Sequence, residues 1–361
     1  MRMRKQVGLF VAACLYYSGL VGVSRWLMQR SGKKLIILNY HRASRGDLRC
    51  HMLYLRRHYR MLHLEEALEE LFSSSINTGC DRRTPLVLTF DDGYHDNYTH
   101  AFALACELHV PITIFLIPGY VETGAYFWWG EPRRLLRRAQ VNEIVIEGKT
   151  YHLNLSDEQG DLGRLIDKRL RYASSVVERE QFLGWIREKL LILPRDVALE
   201  EEGDRPLTWA EIREMRESEW VSFGAHTMHH PILAYLADPI ELECEVRECR
   251  DVLSYVLGLD IRVFAYPVGR TEHIGSNVVE TVRTAGYHWA VTTLHGVNTP
   301  ASNPYLLGRV LGDTSRHWLV MAAETSGIWH LLSPLWQLII GKGETVERTP
   351  ILSQKGVEHD T

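Results

Sequence analysis

The cysteines form no pattern. Six are scattered through 361 residues, with no CxxC pair and no framework spacing. Cys244 and Cys249 lie five apart, which is not a metal spacing, so the set reads as free thiols in a core or a reducing compartment. A strong charge of either sign is also missing. The net charge of −4 argues against a nucleic-acid binder working by bulk charge. No internal repeat of fixed period is present. The longest early uncharged run, Val7 to Ser24, stops at 18 residues, the lower limit for a membrane helix. It has no clear small-residue cleavage pattern. What the chain does have is 45% hydrophobic and 24% charged residues, enough for one large domain or two smaller ones around a sizeable core.

Residues 1–34 are expected to be a hydrophobic anchor or a helix lying in a membrane surface. A buried helix of a soluble protein is the third reading. Basic residues flank the run on both sides (Arg2, Arg4 and Lys5, then Arg25 and Arg30), so charge asymmetry gives no orientation.

Beyond it, short apolar runs alternate with helical patterns. Strands are expected at 35–40, 86–90, 112–117, 220–224, 262–266, 289–293 and 305–311. Leu53 to Phe72 reads as one helix, Ala101–Leu108 as another, and Ile240 to Leu257 as a third that Gly258 closes. A further helix, Val278 to Ala285, ends at Gly286. Such alternation implies parallel strands with helical crossovers. Residues 131–205 interrupt the rhythm with charged helical stretches and read as an insertion, opened at Ser156-Asp-Glu-Gln159 by capping-box chemistry. Thr208-Trp-Ala-Glu211 is a second capping box. Residues 313–361 are expected to be an apolar helix and a loose tail, the apolar part running from Trp318 to Ile340 across Pro334.

The chemistry concentrates in Leu86-Val-Leu-Thr-Phe-Asp-Asp-Gly-Tyr94. A buried strand stops at a polar edge, Gly93 turns the chain, and Asp91 and Asp92 are held at the strand's C-terminal end. Ligand sites of α/β folds form at that end. Adjacent residues of extended chain point opposite ways, so one acid can hold a metal while the other faces a substrate. Four residues separate His226 from His230, and Pro231 places the pair on a strand-end loop rather than in a helix. If both strand ends open on one face, Asp92, His226 and His230 make a two-histidine, one-carboxylate ligand set with a position left open, as catalytic zinc requires. Asp91 would then take the proton of the attacking water.

Thr89-Phe-Asp-Asp-Gly93, His226-Thr-Met-His-His-Pro231 and Phe264-Ala-Tyr-Pro-Val-Gly269 together resemble the first three motifs of the polysaccharide deacetylases of the NodB-homology type, carbohydrate esterase family 4. The resemblance spans about residues 35–312. It implies a distorted (β/α)7 barrel that removes N-acetyl groups from aminosugar polymers, with Asp91 as base. Asp92, His226 and His230 would hold a divalent metal, usually zinc, and the backbone N–H of Val268 would donate to the oxyanion. Tyr266 and Trp129 are the expected sugar contacts, with Trp128 and Trp209 as further candidates.

This chain departs from the family pattern twice. Many members carry an arginine in the third motif where this chain has Ala265, and Arg309 on the last strand is a candidate substitute. No late Leu-x-His motif supplies an acid for the leaving amine. Leu38-Asn-Tyr-His41 resembles it at the front, as in the poly-N-acetylglucosamine deacetylase-like subgroup, so His41 is assigned as general acid with His295 as runner-up. The expected partners are an acetylated aminosugar polysaccharide or lipid-linked saccharide and a membrane surface, with no nucleic acid. The expected location is membrane-associated and envelope-facing, or cytoplasmic at the membrane periphery. Competing readings are an O-deacetylase or deformylase acting on a lipid-linked sugar, and a catalytically silent carbohydrate-binding protein of an export system.

Overall fold

The apolar runs become short strands because they are rich in β-branched and aromatic side chains and are buried on both faces. The computed structural model describes residues 2–44, 46–74, 81–192 and 204–329. Its strands are β1 (Ile36–Tyr40), β2 (Arg60–Met61), β3 (Pro85–Phe90), β4 (Ile112–Leu116), β5 (Glu143–Ile146), β6 (Lys149–His152), β7 (Val221–Ala225), β8 (Val263–Ala265), β9 (Trp289–His295) and β10 (Leu307–Leu311). Seven of them close a parallel barrel in the order β1-β3-β4-β7-β8-β9-β10, with β1 paired to both β3 and β10. This is the (β/α)7 barrel of the NodB type, irregular where the β9–β10 register shifts between Leu307 and Arg309.

Strand alternation divides the core. Leu35, Ile37, Val87, Phe115 and Val263 cluster in the barrel with Leu64, Ala67, Leu68 and Leu71 of helix Leu64–Phe72. The 64, 67/68, 71 spacing gives that helix one apolar stripe, which plugs the end where the strands begin. Ile36, Leu38, Leu86, Leu88, Ile112 and Ile114 pack outward beneath the surrounding helices. Truncating one of these, such as Leu88→Ala, would cost about 2–5 kcal/mol. With the barrel interior closed at that end, the C-terminal end of the strands is left to hold a site within the barrel.

Several local expectations change. Residues 53–72 are two helices, Leu48–His58 and Leu64–Phe72, separated by β2, which adds to β3 outside the barrel ring. Periodicity could not show the break, because leucines continue at helical spacing across it. The first two residues of the 101–108 helix belong to a wider-wound turn, Asn97–Phe102, and the α-helix proper is Ala103–Leu108. The insertion is not all helix: β5 and β6 form an antiparallel hairpin beside helices Glu131–Arg138, Ser156–Arg171 and Val176–Lys189. It has its own core, in which Leu162, Ile166 and Leu170 meet Leu183, Ile186 and Leu190. The capping box expected at Ser156 does not form, since Leu155 is the N-cap and makes no side-chain bond. The box at Thr208 does form, reciprocally with Glu211.

The first hydrophobic run is broken at Gly19 (φ 82°) into helices Arg2–Tyr17 and Leu20–Arg30. No single helix among the described residues is long and apolar enough to cross a membrane, and the two pass such a test only as a pair bent by 70°. Ala12 and Val21 pack against Leu319, Ala323 and Ile328 at helix Trp318–Thr325. The rest of the expected C-terminal apolar segment and tail, from 330 on, lies outside the described residues.

Candidate active site

β3 and β7 deliver the ligand set. Asp92 Oδ1 lies 3.4 Å from His226 Nε2 and 3.6 Å from His230 Nε2. One ligand atom from each residue falls within 4.8 Å of the others, and all three side chains are buried. His226 Nδ1–H donates to the carbonyl of Ala265 at 2.7 Å. A carbonyl can only accept, so the tautomer is fixed and the Nε2 lone pair points at Asp92. Burial lowers the His226 pKa, but contact with Asp92 and the charges of Asp91 and Asp92 outweigh it, and the net direction is up. A proton and a cation therefore compete for the same nitrogen. His230 is held well below its usual pKa, first by burial and then by the charge of His226. It is thus neutral and ready to ligate at pH 7. Two imidazole nitrogens and one carboxylate oxygen converging in a buried site fit a divalent ion of the zinc type.

Asp91 continues the inward-facing series Val87, Thr89, Asp91, while Asp92 leaves it by taking a positive φ of 75°. That parting of directions separates a ligand from a base. Arg309, buried on β10, holds Asp91 in a bidentate pair at 2.7 and 2.8 Å and also donates to Thr89 Oγ1 at 3.3 Å. Its Nε–H donates to the Thr292 carbonyl at 2.7 Å, which fixes the fork. Burial alone would raise the Asp91 pKa; the charges of Arg309, His226 and His41 together with the Arg309 bonds reverse this and bring it down to about 2. The expectation that Arg309 stands in for the missing third-motif arginine thus has its geometry.

His41 follows β1, whose end abuts β3 where Asp91 N–H donates to the Tyr40 carbonyl at 2.8 Å. Its half-buried ring lies near enough to Asp91 and His230 for a charge on it to bear on both. Asn97 Nδ2 donates to the His41 carbonyl at 3.1 Å and anchors the turn. His295 sits exposed at the end of β9. Val268 has φ 60°, held by Thr293 Oγ1–H donating to its carbonyl at 2.7 Å, and its own N–H has no partner among the described residues. Of the seven non-glycine residues with positive φ among the described residues, four (Asp92, Thr227, His230 and Val268) lie in these loops. Such conformations cost free energy and collect at functional sites.

Trp129 is half-buried, its ring 4.4 Å from that of His230 and its Nε1–H donating to Tyr94 Oη at 2.6 Å. One face of the ring is stacked on Phe127 at 4.7 Å. Tyr266 cannot reach a sugar, which corrects the expected contact. It is 1% exposed, packed in the core against Phe264, and its hydroxyl donates to the Tyr305 carbonyl at 3.1 Å. Val263 and Ala265 face the barrel interior while Phe264 and Tyr266 share the outward core, so strand alternation itself carries the Tyr266 ring away from the site. Trp128 is also buried, and Trp209 is bonded to Glu122. His95 pairs with Glu211 and His229 with Glu245, so neither joins the ligands. Arg179 and Glu245, which grip the 226–230 loop, had no signal in the sequence because both come from segments without motifs.

A family model described as polysaccharide deacetylase matches residues 78–180 and 182–290. Among solved structures, the fold is similar to IcaB from Ammonifex degensii (21% identity, TM-score 0.53, covering 82% of this chain and 98% of that one). It is also similar to the Streptococcus pyogenes deacetylase PplD in complex with acetate (18%, 0.53, 81% and 97%). A third is a de-N-acetylase from Aggregatibacter actinomycetemcomitans (14%, 0.51, 81% and 100%). No curated protein matches the chain. At these identities the solved structures speak to the fold alone.

Proposed function

From the premise that the chain belongs to the polysaccharide deacetylase family, we propose that it is a metal-dependent N-deacetylase of an aminosugar polysaccharide. Asp92, His226 and His230 hold the ion, zinc by the character of the donor set. When bound, it supplies Lewis acidity toward the acyl carbonyl and acidifies water.

The remaining roles fall to the chain's own groups. Asp91, ionised and aimed by Arg309, accepts the proton of the attacking water at a carboxylate oxygen. The Val268 N–H donates to the oxygen that gains charge as the carbonyl becomes tetrahedral. His41 gives a proton to the departing amine nitrogen, which is too basic to leave as an anion. That need favours the amide reading over O-deacetylation, since an alkoxide or phenoxide depends less on an acid. Trp129 contacts the sugar and helps to exclude water. The observation that carries the reading is the convergence of Asp92, His226 and His230 beside the Arg309-held carboxylate of Asp91. Acetate release from acetylated glucosamine oligomers, measured before and after chelation and zinc return, tests it.

We further propose that the protein works at an anionic membrane surface of the cell envelope. Support comes from the outer faces of the two N-terminal helices. Val7, Phe10 and Tyr17 expose one apolar stripe, and Leu20, Val23 and Leu27 expose another, with Trp26 beside them. The first 34 residues carry basic side chains and no acidic one, in a chain of net charge −4. Apolar faces flanked only by positive charge suit a helix pair lying in the headgroup layer.

A further inference from the structure

The loop that carries His226 and His230 is held from outside the barrel. Thr227 (φ 64°) and His230 (φ 57°) both adopt the left-handed region without being glycine. Such backbone persists only where its surroundings fix it. Two carbonyls of this loop accept hydrogen bonds, one from the segment that interrupts the barrel and one from the turn Trp128–Gly130 that leads into it. Arg179 Nη2–H, on helix Val176–Lys189, donates to the His229 carbonyl at 3.0 Å. Trp128 Nε1–H donates to the His230 carbonyl at 3.0 Å.

Both donors are 2% exposed. The Arg179 guanidinium lies 5.7 Å from the centre of the Trp128 ring, so the two form one unit. A buried guanidinium is costly to keep unless its bonds are used, and its one carboxylate contact among the described residues is the half-exposed Glu180 at 3.2 Å. From the opposite side, Glu245 accepts the His229 N–H at 2.8 Å and faces His229 Nδ1 at 2.6 Å. Gly119 N–H donates to the Met228 carbonyl at 3.0 Å, and a Cβ at Gly119 would sit 2.5 Å from that oxygen.

Resting on the metal reading above, we propose that Arg179, with Trp128, is a positioning device by which the insertion keeps the 226–230 loop in its ligating conformation. The affinity of the Asp92–His226–His230 site for its metal is thereby set in part by a helix that supplies no ligand. Without these donors the two carbonyls are left buried and unpaired. The loop then gains by rotating the 229–230 region toward a right-handed conformation, which turns His230 Nε2 away from Asp92. The insertion is therefore part of the metal centre as well as an extra lobe beside it.

The test is zinc affinity of the full chain by competition with a chromophoric chelator, together with thermal unfolding of the metal-depleted protein. Arg179→Met keeps the side chain's length and removes both charge and donors. It is expected to weaken zinc binding about 10–100-fold, the usual consequence of losing a support behind a ligand, while the metal-depleted protein still unfolds cooperatively. Arg179→Lys, which keeps a donor, should recover part of the loss. Should Arg179→Met not fold, Trp128→Phe removes only the indole donor and should weaken zinc binding several-fold, by analogy with one lost support. Zinc affinity within about twofold of wild type in the folded variants, on that same scale, overturns the proposal. A wild-type chain that binds no divalent metal overturns the metal reading itself, and is told apart because it needs no variant.

Discussion

Arg309 on the last barrel strand and Asp91 at the end of the third meet fork to fork, at 2.7 and 2.8 Å, both almost wholly buried. Arg309→Met leaves that carboxylate buried without a partner, and its pKa climbs from about 2 to above the ordinary 3.8. In the wild type, the depressed pKa contributes stability fully above pH 3.8, and the contribution is lost as pH falls through about 2. The variant should be about 3–5 kcal/mol less stable near neutrality, the usual cost of breaking a buried pair, with the deficit shrinking in acid. The acid limb of its kcat/KM profile should move to higher pH. Denaturant unfolding and a pH–rate profile check the two.

Asp91→Asn removes the proton acceptor and keeps the shape. Turnover should drop by about 10²–10⁴, while zinc binding by chelator competition changes little because Asp91 is not a ligand. Loss of metal together with activity would assign Asp91 to the ligand set.

His41→Ala should cost about 10²–10⁴ in turnover on an N-acetyl substrate and far less on an aryl acetate, whose phenolate leaves without a proton. Equal losses on both would mean that His41 acts on binding or on the nucleophile.

The N-terminal helices should bring the full chain down with vesicles containing anionic lipid. Binding should weaken as salt rises, since the electrostatic part is screened. Phe10→Asp combined with Leu27→Asp should abolish sedimentation and leave hydrolysis of a soluble oligomer intact. Binding that ignores lipid charge and survives both substitutions would reject the surface reading.

The barrel strands and the three motif loops were legible because each rests on local patterns: β-branched runs, Asp-Asp-Gly after a strand, and a histidine pair stopped by proline. The Asp91–Arg309 pair was reachable only as a substitution for a missing arginine, since 218 residues separate the partners. Tyr266 was misjudged because the motif says nothing of which face its ring takes. The ring shares the outward face with Phe264, while Val263 and Ala265 point into the barrel. The hairpin β5–β6 carries a short β signal of its own, Ile144-Val-Ile146 and Thr150-Tyr151 around Glu147-Gly148, which the charged helical stretches beside it outweigh. Arg179 left no trace at all, because its target is a backbone carbonyl, and carbonyls carry no sequence signal.

Zinc titration of chelated protein, read as acetate released from acetylated glucosamine oligomers, bears most directly on the whole account. One equivalent of zinc should restore turnover in the wild type and fail to restore it in His226→Ala combined with His230→Ala. Turnover that survives chelation, or returns equally in the double variant, would contradict a metal centre at Asp92, His226 and His230.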